Sequence, residues 1–494
     1  MNLVKAKYPV VEDYTVNVMD FGAVGDGVTD DTAAFVAAYN SAATAIIIPG
    51  DGKRFLITEP VGSTTVAKKK LWTGHPGAEV VLTGTGGFQV AGLGWGFSDI
   101  RFTPGAAAVP FAIKSGTLQS NRFSYVRGCE FRGRVAGHYF NVCVDLYNVW
   151  YSNFNDNYIN QSGGADFSTG EIHGIGIRMS YCVNNSVRDN RIGSCAVNLQ
   201  LTATEAPLGM MSSQFCCEGI VISGNTLIAS PRNLDVREGY YIDVHDNVID
   251  IPVPSTTNPV YFACMCSRLA SNWISTMYGS VYVGKGESVL SHYDGTGNAV
   301  DSNVIRATST ATHDMLVIGG IGLLSIKGNQ ITFGRTAISG GSSGGNWNIS
   351  DNVFSAQSEK VYDLGGISRV LYSNNKVYTT LPKALKTVSE TSHVNPITWS
   401  TQLSVALAAA PLTTAGVVTP GQTFFVALPP GKFNGAPEGA AATLANTNTF
   451  GVARYNKSMS SSTAVVFDYV GIGSPVVAGN YNFIITVMDT QAAF

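Results

Sequence analysis

The chain is poor in charge. Asp, Glu, Lys and Arg make up 13% of its 494 residues, about half of the roughly 25% found in an average soluble domain. The two signs nearly cancel, leaving a formal net charge of -3. No basic field is present to attract nucleic acid or an anionic lipid surface, which excludes both as partners. Long apolar runs are also missing. The opening MNLVKAKYPVVEDY lacks the apolar core of a signal peptide, and the most hydrophobic later run, 403–418, is broken by Ser404, Pro411 and threonines, so no membrane insertion is expected. Eight cysteines (Cys129, Cys143, Cys182, Cys195, Cys216, Cys217, Cys264 and Cys266) form no paired C-x-x-C spacing and are too sparse for a disulfide scaffold. They read as buried free thiols, with no metal site. Neither a G-x-G-x-x-G fingerprint nor a P-loop lysine occurs, so no cofactor is expected.

What the chain does have is glycine, 54 residues, and a 10% aromatic share, the composition of an uncharged, turn-rich β protein. One short motif recurs: a small polar residue, Asn, any residue, then an aliphatic or aromatic. It stands as DNYI, DNRI, GNTL, DNVI, SNWI, SNVI, GNQI, DNVF and NNKV, with its asparagines at 157, 190, 225, 247, 272, 303, 329, 352 and 375. Successive steps range from 22 (225 to 247) to 35 (190 to 225), as expected of a fixed coil with loop insertions. Asn suits a tight left-handed bend, and its amide can bond to the same residue one coil away. The flanking residues alternate apolar and polar, as in YYIDVHDNVID, a half-buried strand pattern. The reading is an all-β chain: a solenoid of parallel strands whose coils stack about 4.8 Å apart. Weaker forerunners at Phe97 and Val126 extend it to roughly 60–380.

A parallel coil leaves an open bore and unpaired edges at its end, which must be covered. The stretch DDTAAFVAAYNSAA from Asp30 places Ala34, Phe35, Ala38 and Ala42 on one face of a short helix with Thr29 or Asp30 as N-cap. This helix is expected to plug the bore, with AIIIPG, ended by Pro49, as the first buried strand. A calcium loop from Asp26, Asp30 and Asp31 lacks the closing bidentate Glu. The whole segment VNVMDFGAVGDGVTDDTAAFVAAY resembles the N-terminal signature of the pectate-lyase-like superfamily of right-handed parallel β-helices, shared by bacteriophage tailspikes, polysaccharide depolymerases, polygalacturonases and related lyases. The complete acidic, His-Gly and Arg-x-Lys set of polygalacturonases is absent. The resemblance is strongest to tailspikes, and implies a homotrimer in the virion, joined to a phage tail or baseplate protein, that binds and cleaves a bacterial surface polysaccharide outside the host cell.

Three regions follow: 1–59 as N-terminal segment and cap, 60–380 as β-helix, and 381–494 as a C-terminal β-sandwich-like module. The last contains strand-like runs at Thr423, Thr463 and Tyr481 separated by Gly, Pro and Ser. By analogy with tailspikes it would lock a trimer or bind glycan; the alternative is a cap for the lower end of the coil.

A sugar polymer requires hydrogen-bonding side chains, aromatic platforms and, for cleavage, usually two carboxylates. Aligning the coils on their bends puts Gly176, Asn198, Asp235, Tyr261 and Tyr282 in one outward column and Arg178, Gln200, Arg237, Ala263 and Gly284 in the next. Asn198, Gln200, Arg178, Arg237, Tyr261 and Tyr282 are candidate saccharide contacts, although any soluble solenoid also needs a solvated face. Two insertions border this face: 160–174, with Asp166 as a further contact and Glu171 and His173 as catalytic candidates, and 202–219, with Glu205. Asp235 is the first choice of catalytic carboxylate, with Arg237 to keep it ionised, and Glu171, Glu205 or Glu238 as its partner in endo-acting hydrolysis. A lyase acting beside a uronate carboxylate, using Arg178, Arg237, His173 and Tyr261, and a spike that binds without turnover remain open.

Overall fold

Three residues in extended conformation followed by a left-handed turn recur along the chain, and this unit generates the architecture. In the computed structural model the described residues run from 15 to 489, interrupted chiefly at 203–215, 285–296, 387–396, 408–421 and 429–438. Strands stack in parallel into three 14-stranded sheets, so that each coil contributes one strand to each face. The product is a right-handed parallel β-helix, the hand expected of parallel crossovers. The strands Thr15–Asn17, Asp26–Asp30 and Ala45–Ile48 already belong to the first two sheets, so the stack begins before residue 60. Inward side chains such as Phe97, Phe131, Ile192, Leu234 and Val283 fill the bore as one continuous apolar core.

The repeated asparagines line up along the axis. Asn157 donates from its backbone N–H and its Nδ2 to Oδ1 of Asn190, at 3.0 and 2.9 Å. Asn190 does the same to Asn225, and the pattern continues without a break through Asn247, Asn272, Asn303, Asn329 and Asn352 to Asn375. Each Nδ2 also caps a backbone carbonyl of the coil before, such as Val126 O for Asn157 and Val244 O for Asn272. One expectation changes here. The left-handed position is not the asparagine but the residue before it: Asp156, Asp189, Asp246, Ser271, Ser302, Asp351 and Asn374 have φ between 53° and 59°, and Gly224 and Gly328 have φ 68°. Small polar residues and glycine tolerate that conformation, which leaves the asparagine side chain free to point inward and bond along the stack.

At the N-terminal end the helix Thr32–Asn40 covers the bore. Phe35 and Ala38 are fully buried, and Phe35 stacks on Trp72 with centroids 5.8 Å apart and meets Phe55 and Phe88. Ala42 lies beyond the helix and is exposed, because the chain leaves its last turn at Ser41. The three carboxylates of this segment diverge. Asp26 accepts from Val28 N and Thr29 N, Asp30 from Thr32 and Thr58, and buried Asp31, at the N-cap position, from Val24 N and Gly25 N. The glycine-rich loop is thus held by its own aspartates. Among the described residues the C-terminal module forms a six-stranded antiparallel sheet whose outer strands are Ile397–Leu407 and Gln422–Ala427.

Of the eight cysteines seven are buried and Cys266 is exposed, all as free thiols. Burial raises the pKa of the Cys129 thiol to about 12 and drives Cys143, Cys217 and Cys264 up as well, and a thiol that stays protonated is a poor nucleophile. In native protein at pH 8 a thiol reagent is expected to titrate Cys266 alone, and after unfolding all eight. Replacing Asn247 by Ala removes three donated and two accepted bonds in the dry wall of the coil. Stranded buried partners cost about 1–3 kcal/mol each, so a loss of at least about 3 kcal/mol is expected in denaturant-unfolding measurements.

Candidate functional site

The third sheet carries a column of outward side chains in register from coil to coil: Gln89, Lys114, Asp145, Arg178, Gln200, Asp235, Tyr261 and Tyr282. Seven steps of about 4.8 Å make this a track about 34 Å long. Over its first half the strands Val109–Ser115, Phe140–Tyr147, Ile175–Ser180 and Val197–Thr202 line a cavity of about 540 Å³ with Gln89, Lys114, Asp145, Arg178 and Gln200. Tyr147, Ser180 and Thr202, adjacent in the ladder, close its side. Asp145 is held by a bidentate pair with Arg178, Oδ1–Nε 2.9 Å and Oδ2–Nη2 2.8 Å, and this bond raises the guanidinium pKa. Lys114 stays exposed, its Nζ 5.7 Å from the Phe111 ring centre. The cavity therefore offers amides, hydroxyls, a phenol, an ammonium and one carboxylate, all on rigid strands.

Further along the track Asp235 occupies a different setting from the one expected. Its side chain is 0% exposed; Gln200 Nε2 at 2.9 Å, Arg232 Nη1 at 3.0 Å and Arg237 Nε at 3.0 Å occupy both oxygens. Alternation does turn it outward, but the two arginines of its own strand fold over it. Arg237 does sit beside Asp235, as read from the sequence, but as a lid. A carboxylate enclosed in this way organises its neighbours and presents no surface to a sugar. Next to it Tyr261 and Tyr282 stack nearly parallel, centroids 4.6 Å apart, with the Arg232 guanidinium 5.3 Å from the Tyr261 ring.

The expected columns slip by two residues. Leu234 pairs with Leu199, which in turn pairs with Ile177, while Val197 pairs with Arg232. Asn198 consequently leaves the groove: it is buried and donates to Asn233 Oδ1 at 2.7 Å and Ile228 O at 2.9 Å. A shift of two preserves the in–out alternation, so the pattern cannot detect it. The insertion 160–174 also lies elsewhere. His173 stacks on Tyr139, 4.2 Å between centroids, and is separated from Arg178 by five residues, about 16 Å of extended chain. Glu171 is half-buried, with Oε2 enclosed and lacking a hydrogen-bond partner among the described residues, and Asp166 is exposed. None of the three lines the groove. Glu205 and the Glu238 side chain lie outside the described residues. Lys114, Asp145 and Tyr147 were missed because the alignment began at Ile175; the alternation of FNVCVDLY already marked Asp145 and Tyr147 as outward.

No protein-family model matches the chain, and no curated protein does. Among solved structures it is similar to a mutant tailspike protein of E. coli bacteriophage HK620 in complex with a pentasaccharide, at 10% identity over 97% of this chain and 94% of that one, TM-score 0.52. A second mutant of that tailspike, also with pentasaccharide, gives 10% identity, the same coverage and TM-score 0.51. The Pseudomonas phage phi297 tailspike gp61 matches at 10% identity over 97% of this chain and 100% of that one, TM-score 0.48. The chain thus has the right-handed β-helix fold found in phage tailspikes.

Asp235→Asn leaves two guanidiniums facing a neutral amide. Breaking a buried pair costs about 3–5 kcal/mol, and with Arg237 half exposed the low end, about 3 kcal/mol, is expected in unfolding experiments. A variant of unchanged stability would contradict the enclosed setting.

Proposed function

We propose that the protein is a homotrimeric phage tailspike that lays a bacterial surface polysaccharide along the third sheet and cuts it internally, working outside the host cell at the end of a phage tail. The observation that carries this reading is the in-register column from Gln89 to Gln200 with its cavity of about 540 Å³: an elongated, uncharged-to-mixed track on a rigid rack suits a linear chain of hydroxyls better than a compact ligand. The fold shared with a tailspike solved with a pentasaccharide bound supports it. The C-terminal sheet would then serve trimer assembly or glycan binding.

For the reaction, hydrolysis remains the leading reading, with a changed cast. Asp145 and Asp235 stand three coil steps apart, about 14 Å, beyond the roughly 6.5–9.5 Å of an inverting pair. Asp145 is the carboxylate among the described residues that lines the cavity, and Glu205 follows the lining residue Thr202 by three positions in the chain. We assign these two the acid and base or nucleophile roles. One observation favours β-elimination as the second reading: Lys114, Arg178 and Tyr147 share the cavity with that single carboxylate, the set that neutralises a uronate and removes its α-proton.

Purified protein is expected to shorten one member of a panel of capsular, O-antigen and exopolysaccharide preparations, read by size-exclusion chromatography. Asp145→Asn and Glu205→Gln should each slow this by about 10²-fold or more while binding persists. New absorbance from unsaturated ends would replace hydrolysis by elimination. Normal cutting by both variants would remove them from the mechanism, and binding with no shortening by the unaltered protein would leave a receptor-binding spike.

A further inference from the structure

The second sheet has a charge pattern that the groove does not use. Its outward column runs Asp26, Arg54, Glu79, Arg101, Glu130 in register, and two more arginines, Arg132 and Arg134, reach back over it. Glu79, buried, is paired with Arg54 and Arg134 and accepts from Thr103 Oγ1 at 2.7 Å. Glu130 is paired with Arg101 at 2.6 Å and Arg132 at 3.3 Å. Four guanidiniums therefore meet two carboxylates, leaving 4 − 2 = 2 positive charges in excess, on a chain whose net charge is -3. Asp26 stays ionised, its carboxyl held below the usual range by the Thr29 and Val28 N–H donors, but it stands three coil steps, about 14 Å, from Arg101, beyond the screening length of about 8–10 Å.

The excess is gathered around a hollow. Arg101, Arg132 and Arg134, with Gly133, Gly163 and Gly164, line a cavity of about 270 Å³ that shares no residue with the third-sheet groove. Arg132 Nε donates to Gly164 O at 3.0 Å and so fixes the tip of the insertion 160–174 against the cavity. A guanidinium has five donors. Arg101 uses only Nε and Arg132 only Nε and Nη1, so both Nη nitrogens of Arg101 and Nη2 of Arg132 are uncommitted among the described residues. Next along the column come the half-buried rings of Tyr158 and Phe167, 5.3 Å apart.

We propose that this cavity is an anion subsite that receives a carboxylate or phosphate substituent of the polysaccharide, with the Tyr158–Phe167 pair flanking the sugar that bears it. Converging guanidiniums match the planar or tetrahedral oxyanion, while Gly164, where a Cβ would meet nothing closer than 3.6 Å, leaves room for the oxygens to approach. The substrate class is thereby an acidic glycan. This rests on the polysaccharide-binding reading above and is independent of the groove's chemistry.

The test titrates full-length protein with three oligosaccharides of equal length, an oligoglucuronate, a phosphate-substituted glucan and a neutral glucan, and with inorganic sulfate as competitor. One acidic ligand is expected to bind at least about tenfold more tightly than the neutral one, an advantage lost on adding salt or sulfate; the arm that does so identifies carboxylate or phosphate. Gly164→Asp places a negative charge in the cavity at a site where a Cβ meets nothing closer than 3.6 Å, and should abolish the advantage without changing the melting temperature. Should that variant fold poorly, Arg101→Gln, which leaves Glu130 with Arg132, is read instead. Equal binding of acidic and neutral ligands, or an acidic preference that survives these substitutions, overturns the proposal. An acidic preference lost instead in Lys114→Ala would transfer the anion site to the third sheet and leave the tailspike reading standing, whereas sulfate binding with no saccharide binding would sink both.

Discussion

The coils from residue 157 to residue 375 depend on one hydrogen-bonded file, the asparagines that run from Asn157 to Asn375, all buried except the half-buried Asn375. Between its two ends each amide nitrogen serves the next asparagine and a backbone carbonyl, and each amide oxygen takes two donors from its neighbour, while Asn157 Oδ1 accepts from Cys129 N and Asn375 Nδ2 donates to Ile349 O. An unpaired amide there would be costly. The geometry closes only if every coil places its corner directly over the last, which makes the file a ruler for the stack. The left-handed residue before each asparagine is the local condition for that placement, met by Asp, Ser, Asn or Gly and by no β-branched side chain.

A stack so constrained converts sequence position into spatial position on its outer faces. Adjacent coils put one outward residue about 4.8 Å from the next, and the character of a face is written one coil at a time. The third sheet writes amide, ammonium, carboxylate, guanidinium, amide, carboxylate and two phenols. The second writes alternating charge and then the phenol of Tyr158. Because neighbouring members of a column touch, each modifies the other: Arg178 grips Asp145, Gln200 and two arginines enclose Asp235, and Tyr261 and Tyr282 stack. Whether a carboxylate is chemically accessible is thus decided by the coil above and below it as much as by its own strand.

The asparagine spacing, the period-two alternation and the capping helix were legible in the linear chain because each is enforced locally: a bend needs particular residues, a half-buried strand needs alternation, and an open bore needs a plug. Arg178 and Gln200 were also within reach, since alternation alone turns them outward. Asn198 was misplaced by the same rule, because a two-residue slip leaves the pattern intact while moving every cross-strand partner. Asp235 was correctly turned outward yet carries no exposed surface, a consequence of Arg232 and Arg237, three residues upstream and two downstream on its strand, closing over it.

The amino-acid sequence by itself determined that this chain is a parallel coil, where its corners fall and which residues face in or out, since those properties follow from backbone preferences and the burial of apolar side chains within one coil. Only the tertiary structure decided which outward residues become neighbours: the pairing of Asp145 with Arg178, the enclosure of Asp235 and the gathering of Arg101, Arg132 and Arg134 around one hollow. Those depend on register between strands 20 or more residues apart in the chain, and register is set by the summed packing and hydrogen bonding of whole coils, to which no single stretch of sequence holds the key.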